Sequence, residues 1–156
     1  MTTTYTLGAR ESTLECVDAA GTPRWSLPIA SIILVAEYTT NEGPWADDWF
    51  LTFVTLEDGR LYFSTCSVSA GIEEAMSILQ ERLGSLIPLQ LLGSTEWRSR
   101  VAWPTRIAGN DYFTLTEVPA KTLAEKLKKK LLGATQEYAV SNVVRAYLEE
   151  QLRASA

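Results

Sequence analysis

The feature that most constrains the fold is a pair of apolar runs joined by a short polar turn. The runs "DWFLTFVTL" and "RLYFSTCSV" flank Glu57-Asp58-Gly59. Asp-Gly between two hydrophobic runs predicts a β-hairpin, because glycine adopts positive φ at little cost. The members of this hairpin that we expect to be hidden from water are Leu51, Phe53, Leu61 and Phe63.

The segment after the hairpin, "GIEEAMSILQERLG", predicts one amphipathic helix over residues 71–83. Its apolar residues recur at helical spacing and form a single stripe, which predicts one buried face. The stripe consists of Ile72, Ala75, Met76, Leu79 and Leu83. Glu73 and Glu74 suit the first turn of a helix, and Gly84 is a plausible stop. The sheet that precedes the helix is the surface on which we expect the stripe to pack.

The rest of the chain reads as further strands and two more helices. Short strands are predicted before residue 30, and "SIILVAEY" is predicted to be covered on both faces because apolar residues occupy both. "PLQLLG", "EWRSRVAW" and "DYFTLTEV" also read as strands. A second helix is predicted from Pro119 to Leu132, and a third from a cap at Thr135 to about Arg153.

This order of elements predicts an α+β fold with a mainly antiparallel curved sheet or partly open barrel. One amphipathic helix packs on the sheet, and two further C-terminal helices follow. We expect residues 1–118 to form the antiparallel sheet or roll with helix 71–83. Residues 119–156 are expected to form a helical pair that packs on the same domain or on a partner chain.

Composition narrows the chemistry that the chain can carry. There is no histidine and there are two cysteines, Cys16 and Cys66, so Ser-His and Cys-His nucleophile pairs cannot form and zinc ligands are few. The cysteines read as small buried hydrophobes, with a bridge between them as the alternative. No phosphate-binding loop or nucleophile elbow occurs. We therefore expect no catalytic residues, no metal and no cofactor.

Charge is divided unevenly along the chain. Residues 1–90 carry 12 acidic and 4 basic side chains and residues 91–156 carry 7 and 10, so the net charge of −5 divides into −8 and +3. Opposed halves can attract each other within one chain or between copies. Nucleic acid is not favoured as a partner, because nucleic-acid-binding domains are usually basic overall.

Trp45, Asp47 and Asp48 are candidate partner-binding residues in the segment "NEGPWADDW". Tryptophan is enriched at interface anchors, although a tryptophan in a long connection also folds back over an open sheet end. A hard cation held by these acids is disfavoured, because the segment lacks the regular spacing of a calcium loop.

Arg98 and Arg100 are the second candidate partner-binding set. In an extended "EWRSRVAW" they share one face, whereas Trp97, Ser99, Val101 and Trp103 share the other. A platform for single-stranded nucleic acid needs both kinds of side chain on one surface. The alternation instead favours a half-buried strand with its arginines in solvent.

Lys126, Lys129 and Lys130 are candidate contacts for an anionic surface, in the basic helix "KTLAEKLKKKLL". A basic amphipathic helix can lie on a membrane. This one has only leucines on its apolar line, so a solvated face is favoured and a membrane surface is not.

The hairpin and helix together resemble the pleckstrin-homology-like modules of bacteria, over roughly residues 5–83. The resemblance is carried by "WFLTFVTLEDGRLYFSTCSVSAGIEEAMSILQERLG", in which the strand pair with the Asp-Gly turn feeds a helix. It implies a module that binds lipids, peptides or proteins without chemistry. Lipid-binding members often have basic residues near the first hairpin, and here that half is acidic. Strands and helices also follow the point at which a simple module would end.

We therefore expect a non-catalytic, cytoplasmic protein-interaction module that binds a protein partner or itself. The alternative is a small-molecule or anionic-lipid-binding domain with a pocket between sheet and helix. The N-terminus shows no signal peptide and the sequence contains no long apolar run.

Overall fold

A computed structural model describes residues 5–40, 49–67, 70–94, 96–117 and 136–156. The fold is α+β, as predicted, with its strands in antiparallel sheets that do not close into a barrel. The elements are β1 Thr6–Arg10, β2 Thr13–Val17, β3 Pro23–Pro28, a 3₁₀ turn Ile29–Ser31, β4 Ile32–Thr39, β5 Trp49–Glu57, β6 Arg60–Ser67, α1 Ile72–Leu83, β7 Arg98–Trp103, β8 Phe113–Glu117, β9 Gln136–Val140 and α2 Asn142–Ala154.

The predicted hairpin is present and organises the central sheet. β5 and β6 pair in antiparallel register around a two-residue turn in which Asp58 has φ 49° and Gly59 has φ 72°. Positive φ at both central residues is the turn geometry that matches the twist of paired strands. The central sheet has the order β6-β5-β4-β7, with β1-β2-β3 and β8-β9 forming two smaller sheets.

β4 is covered on both faces, as its two-sided apolarity predicts. Val35 belongs to the hydrophobic cluster shared with β1–β3 and α1, whereas Leu34 and Ala36 belong to the cluster shared with α2. Strict alternation along "SIILVAEY" predicts a common face for Ile32 and Leu34, and this prediction is wrong. The pairing with β5 shifts between these residues, and Ile32 packs with Val35. An irregularity of this kind reverses which face a residue points to.

The apolar stripe of helix α1 packs on the sheet β1-β2-β3, as predicted. Ala75, Met76 and Leu79 are buried in the hydrophobic cluster shared with β1–β3, and Leu83 packs against that cluster. Gly84 ends the helix in the left-handed conformation, which confirms it as the stop.

The second cluster is closed by α2, which lies against the opposite face of the central sheet. Val144, Tyr147 and Leu148 are buried there, and the Tyr147 hydroxyl donates to the Ile33 carbonyl at 2.8 Å. Arg106 makes a two-pronged pair with Glu150 and lies over the Tyr147 ring. Contacts with both strand backbone and turn fix this helix on the sheet.

Two sequence predictions about the second half are wrong. The segment predicted to begin a helix at Thr135 includes the strand β9, which pairs with β8, and the helix begins only at Asn142. Ser141 is the actual cap, since its hydroxyl accepts from the Val144 N–H at 3.3 Å. "PLQLLG" is not a strand either, because backbone N–H groups of this segment are directed to a buried carboxylate described below. The helix predicted from Pro119 to Leu132 lies outside the described residues.

Within the described ranges no helix is long and apolar enough to cross a membrane.

Candidate interaction site

The outer strand β6 presents backbone groups that its own sheet does not use. Glu57 and Arg60 are partners across the two-residue turn, and the residues that flank such a turn are the pair that exchanges backbone hydrogen bonds. Alternation along the strand then directs the N–H and C=O of Tyr62 toward β5 and those of Leu61 and Phe63 away from it. Among the described strands, β6 pairs with β5 alone.

One contact confirms this direction and also limits the open stretch. The indole N–H of Trp25, on β3, donates to the carbonyl of Thr65 at 3.4 Å. Thr65 has the same parity as Leu61 and Phe63, so its carbonyl also points away from β5. As far as the described residues show, the open part of the edge is therefore the three residues from Leu61 to Phe63, between the turn and the Trp25 contact.

The side chains of this open stretch are apolar and only half covered. Tyr62 is 48% exposed and Phe63 is 52% exposed, and they lie on opposite faces of the sheet. The prediction that Phe63 is hidden is wrong, and Leu61 is only partly buried. The reason is the place of each strand in the sheet, because both core clusters centre on β4 and β5. Of the four hairpin residues predicted to be hidden, only Leu51 and Phe53, both on β5, are buried members of a cluster.

The other edge of the central sheet is covered. The Val101 N–H donates to the Asn110 carbonyl and the Val101 carbonyl accepts from the Gly109 N–H, both at 2.9 Å. The Ser99 hydroxyl accepts from the Phe113 N–H at 2.8 Å. Residues after β7 thus lie along its outer side at Ser99 and Val101, which leaves β6 as the open edge of this sheet within the described part of the chain.

The predicted arginine pair lies at a different place from this edge, on β7. Arg98 is 63% exposed, as predicted, but the side chain of Arg100 is only 13% exposed, which makes the expectation of two solvated arginines wrong. Arg100 donates from Nη1 to Glu37 Oε1 at 3.3 Å and to the Pro88 carbonyl at 2.8 Å. The ion pair draws Arg100 inward because Glu37 is fully buried.

Glu37 is a buried, fully hydrogen-bonded carboxylate that the sequence analysis did not single out. Its Oε2 accepts from Trp49 Nε1 and from the Leu91 N–H, both at 3.1 Å, and its Oε1 accepts from the Gln90 N–H at 2.6 Å as well as from Arg100. These four donors belong to β5, β7 and the loop before β7, so the carboxylate ties these elements to β4. An acid inside the apolar run "IILVAEY" was the available signal.

Two depressions accompany these elements. A cavity of about 320 Å³ lies beside β7, with Gln90, Trp97, Arg98, Arg100 and Asp111 among its lining residues. Its charged side chains are of both signs, and Arg100 is already paired. The lining therefore does not select an anion.

A second cavity, of about 340 Å³, lies between β1 and the start of α1. Arg10, Glu15 and Glu74 line it. Acidic groups outnumber basic ones among these three, which disfavours an anionic headgroup.

The two cysteines are unbridged and buried, as the interpretation of small hydrophobes predicted. Their thiols lie near each other, with Cys16 on β2 and Cys66 on β6. Burial raises the pKa of Cys66 far above its usual range, and the neighbouring Cys16 adds to this effect. Burial also raises the pKa of Cys16, an effect that the neighbouring Cys66 and Arg24 partly oppose. Both groups are therefore protonated thiols at neutral pH.

The remaining predicted site residues, Trp45, Asp47, Asp48, Lys126, Lys129 and Lys130, lie outside the described residues and stay predictions. In the described ranges no three His, Cys, Asp or Glu side chains are grouped to hold a metal ion.

Comparison of the chain with family models, with curated proteins and with solved structures gives no match. The resemblance to pleckstrin-homology-like modules therefore stays a prediction.

Proposed function

We propose that this protein is a non-catalytic protein-interaction module that receives an extended segment of its partner along the open edge of β6. The observation that carries the proposal is the coincidence, at Leu61 to Phe63, of outward backbone groups and half-exposed aromatic rings. Strand addition uses these two features together, because backbone bonds supply affinity and alternate side chains supply specificity.

The side chains favour this use over a merely solvated edge. An aromatic side chain buries about 150–250 Å² when fully covered. Each ring at positions 62 and 63 keeps about half of its surface exposed, so covering one is worth on the order of 2–3 kcal/mol at about 25 cal/mol per Å². Edges of strands that stay unpaired usually carry charges or proline. β6 has neither proline nor acid, and its one charged residue, Arg60, stands next to the turn.

The test uses peptides selected on the immobilised full-length chain from a random displayed library. We expect selected peptides to bind and to slow amide exchange at Leu61 and Phe63. Phe63→Pro removes the outward N–H without removing a bond to β5, so it should abolish binding. Phe63→Val is the matched control, because it also loses the ring but keeps the N–H, and it should weaken binding without abolishing it. Equal binding to the wild type and to Phe63→Pro would place the partner elsewhere and refute the proposal.

A second candidate function is the alternative expected from the sequence, binding of a small molecule between sheet and helix, and we place it in the cavity between β1 and α1. Its size of about 340 Å³ supports this candidate, since ligand pockets begin near 300 Å³. A ligand at 100 times its dissociation constant should add about 2.7 kcal/mol to stability. Unchanged melting temperatures across a panel of neutral, cationic and anionic metabolites would count against it. The cytoplasmic location remains a prediction.

A further inference from the structure

The open edge of β6 is short enough for its possible pairings to be enumerated. Its usable backbone groups belong to Leu61 and Phe63. The turn at Asp58 and Gly59 bounds it on one side, and the Trp25 contact with Thr65 bounds it on the other. A partner strand must therefore satisfy outward groups that are two residues apart.

A second copy of the chain meets this requirement in one register. Twofold symmetry brings two identical edges together antiparallel. The residue numbers of every facing pair then add up to the same total. If the twofold axis passes at Tyr62, Leu61 of each copy faces Phe63 of the other copy, and this pairing uses every open N–H and C=O. An axis at Phe63 would instead oppose Leu61 to Thr65, whose carbonyl already accepts from Trp25. An axis at Leu61 would oppose Phe63 to Gly59 inside the turn.

The side chains and charges agree with the register centred on Tyr62. Leu61 faces Phe63 of the other copy on one side of the joined sheet, and the two Tyr62 rings face each other on the other side. Arg60, the single charged residue of the strand, faces Ser64, so no like charges are opposed. We infer that the occupant of this edge is a second copy of the chain, paired antiparallel about Tyr62. This inference rests on the proposed function.

Cysteine cross-linking of the full-length chain tests the register. Tyr62→Cys places two thiols directly opposite each other, at about 4.5–5.5 Å between Cβ atoms. We expect mild oxidation to convert most of this variant to a covalent dimer. Arg60→Cys is the matched control and should form no covalent dimer, because its two copies lie about four residues apart, or roughly 14 Å. A mixture of Arg60→Cys and Ser64→Cys should again give a dimer. The unsubstituted chain reports any contribution of Cys16 and Cys66.

Sedimentation velocity over a concentration series gives an independent readout without new thiols. The sedimentation coefficient of the wild type and of Tyr62→Phe should rise with concentration, and that of Tyr62→Glu should not, because two carboxylates would then face each other across the axis. A monomeric Tyr62→Cys under oxidation, or equal cross-linking of Arg60→Cys, overturns the inference. If self-pairing fails while selected peptides still require the Phe63 N–H, the proposed function survives. If the peptides also bind without that N–H, both fail.

Discussion

Glu37→Gln is the substitution whose effect follows most directly from the geometry. The change keeps shape and volume almost unchanged but replaces one carboxylate oxygen with an NH₂ group. Each oxygen of Glu37 now accepts two hydrogen bonds. Either orientation of the amide therefore directs a donor at two other donors. If NH₂ replaces Oε2, it faces Trp49 and Leu91; if it replaces Oε1, it faces Gln90 and Arg100.

The magnitude can be set from these lost partners. A buried donor left unsatisfied costs about 1–3 kcal/mol. Two such donors, together with an Arg100 that has lost its charged partner, give an expected destabilisation of about 3–5 kcal/mol, the usual range for breaking a buried ion pair. That loss is a large share of the stability of a domain of this size.

Urea unfolding followed by far-ultraviolet circular dichroism measures the effect without relying on tryptophan emission, since Trp49 itself contacts Glu37. Glu81→Gln, on the exposed surface of α1, is the control and should change stability by less than about 0.5 kcal/mol. The double variant with Arg100→Met should lose less than the sum of the two single variants, because the residues interact directly. A loss below about 1 kcal/mol for Glu37→Gln, or strict additivity, would refute this account of the buried network.

Two further predictions concern backbone and thiols. Gly71→Ala should destabilise the protein strongly, because an added Cβ would overlap the Leu7 carbonyl oxygen at a residue with φ +77°. Gly84→Ala also has positive φ but open space, so it should cost only about 1–2 kcal/mol, and equal costs in urea unfolding would contradict the packing of β1 on α1. Cys16 and Cys66 should resist iodoacetamide in the native state and react fully once unfolded. Because their pKa values are raised in the folded state, the thiols contribute their full stabilisation below about pH 8.5. Above that pH each thiol lowers the free energy of unfolding by up to about 1.4 kcal/mol per pH unit, because only the unfolded state then ionises. A native chain that alkylates rapidly, or an unfolding midpoint that stays flat above pH 9, would contradict their burial.

The local part of this fold could be predicted from the sequence. The turn at Asp58-Gly59 needs a residue that accepts positive φ, and the stripe of α1 follows from helical spacing, so both depend on near neighbours in the chain. β9 could not be predicted in the same way. Its last residue, Val140, also fits a helical stripe with Val143 and Tyr147, and only pairing with β8, a long-range contact, favours the strand.

The candidate site could be predicted less well, for the same reason. Whether Phe63 is buried depends on the order of strands in the sheet, and in particular on whether β5 or β6 lies beside β4. The alternation on β7 correctly placed both arginines on one face. It could not show that Glu37, 63 residues away, draws Arg100 out of solvent.

The measurement that tests the central claim most directly is amide hydrogen exchange on the dilute, monomeric chain. We expect rapid exchange at Leu61 and Phe63, whose N–H groups point away from β5, and slow exchange at Tyr62, whose N–H bonds to it. Raising the protein concentration should slow the two rapid amides and leave Tyr62 unchanged. Strong protection of Leu61 and Phe63 at every concentration would mean that the chain covers its own edge, and the open interaction surface would not exist.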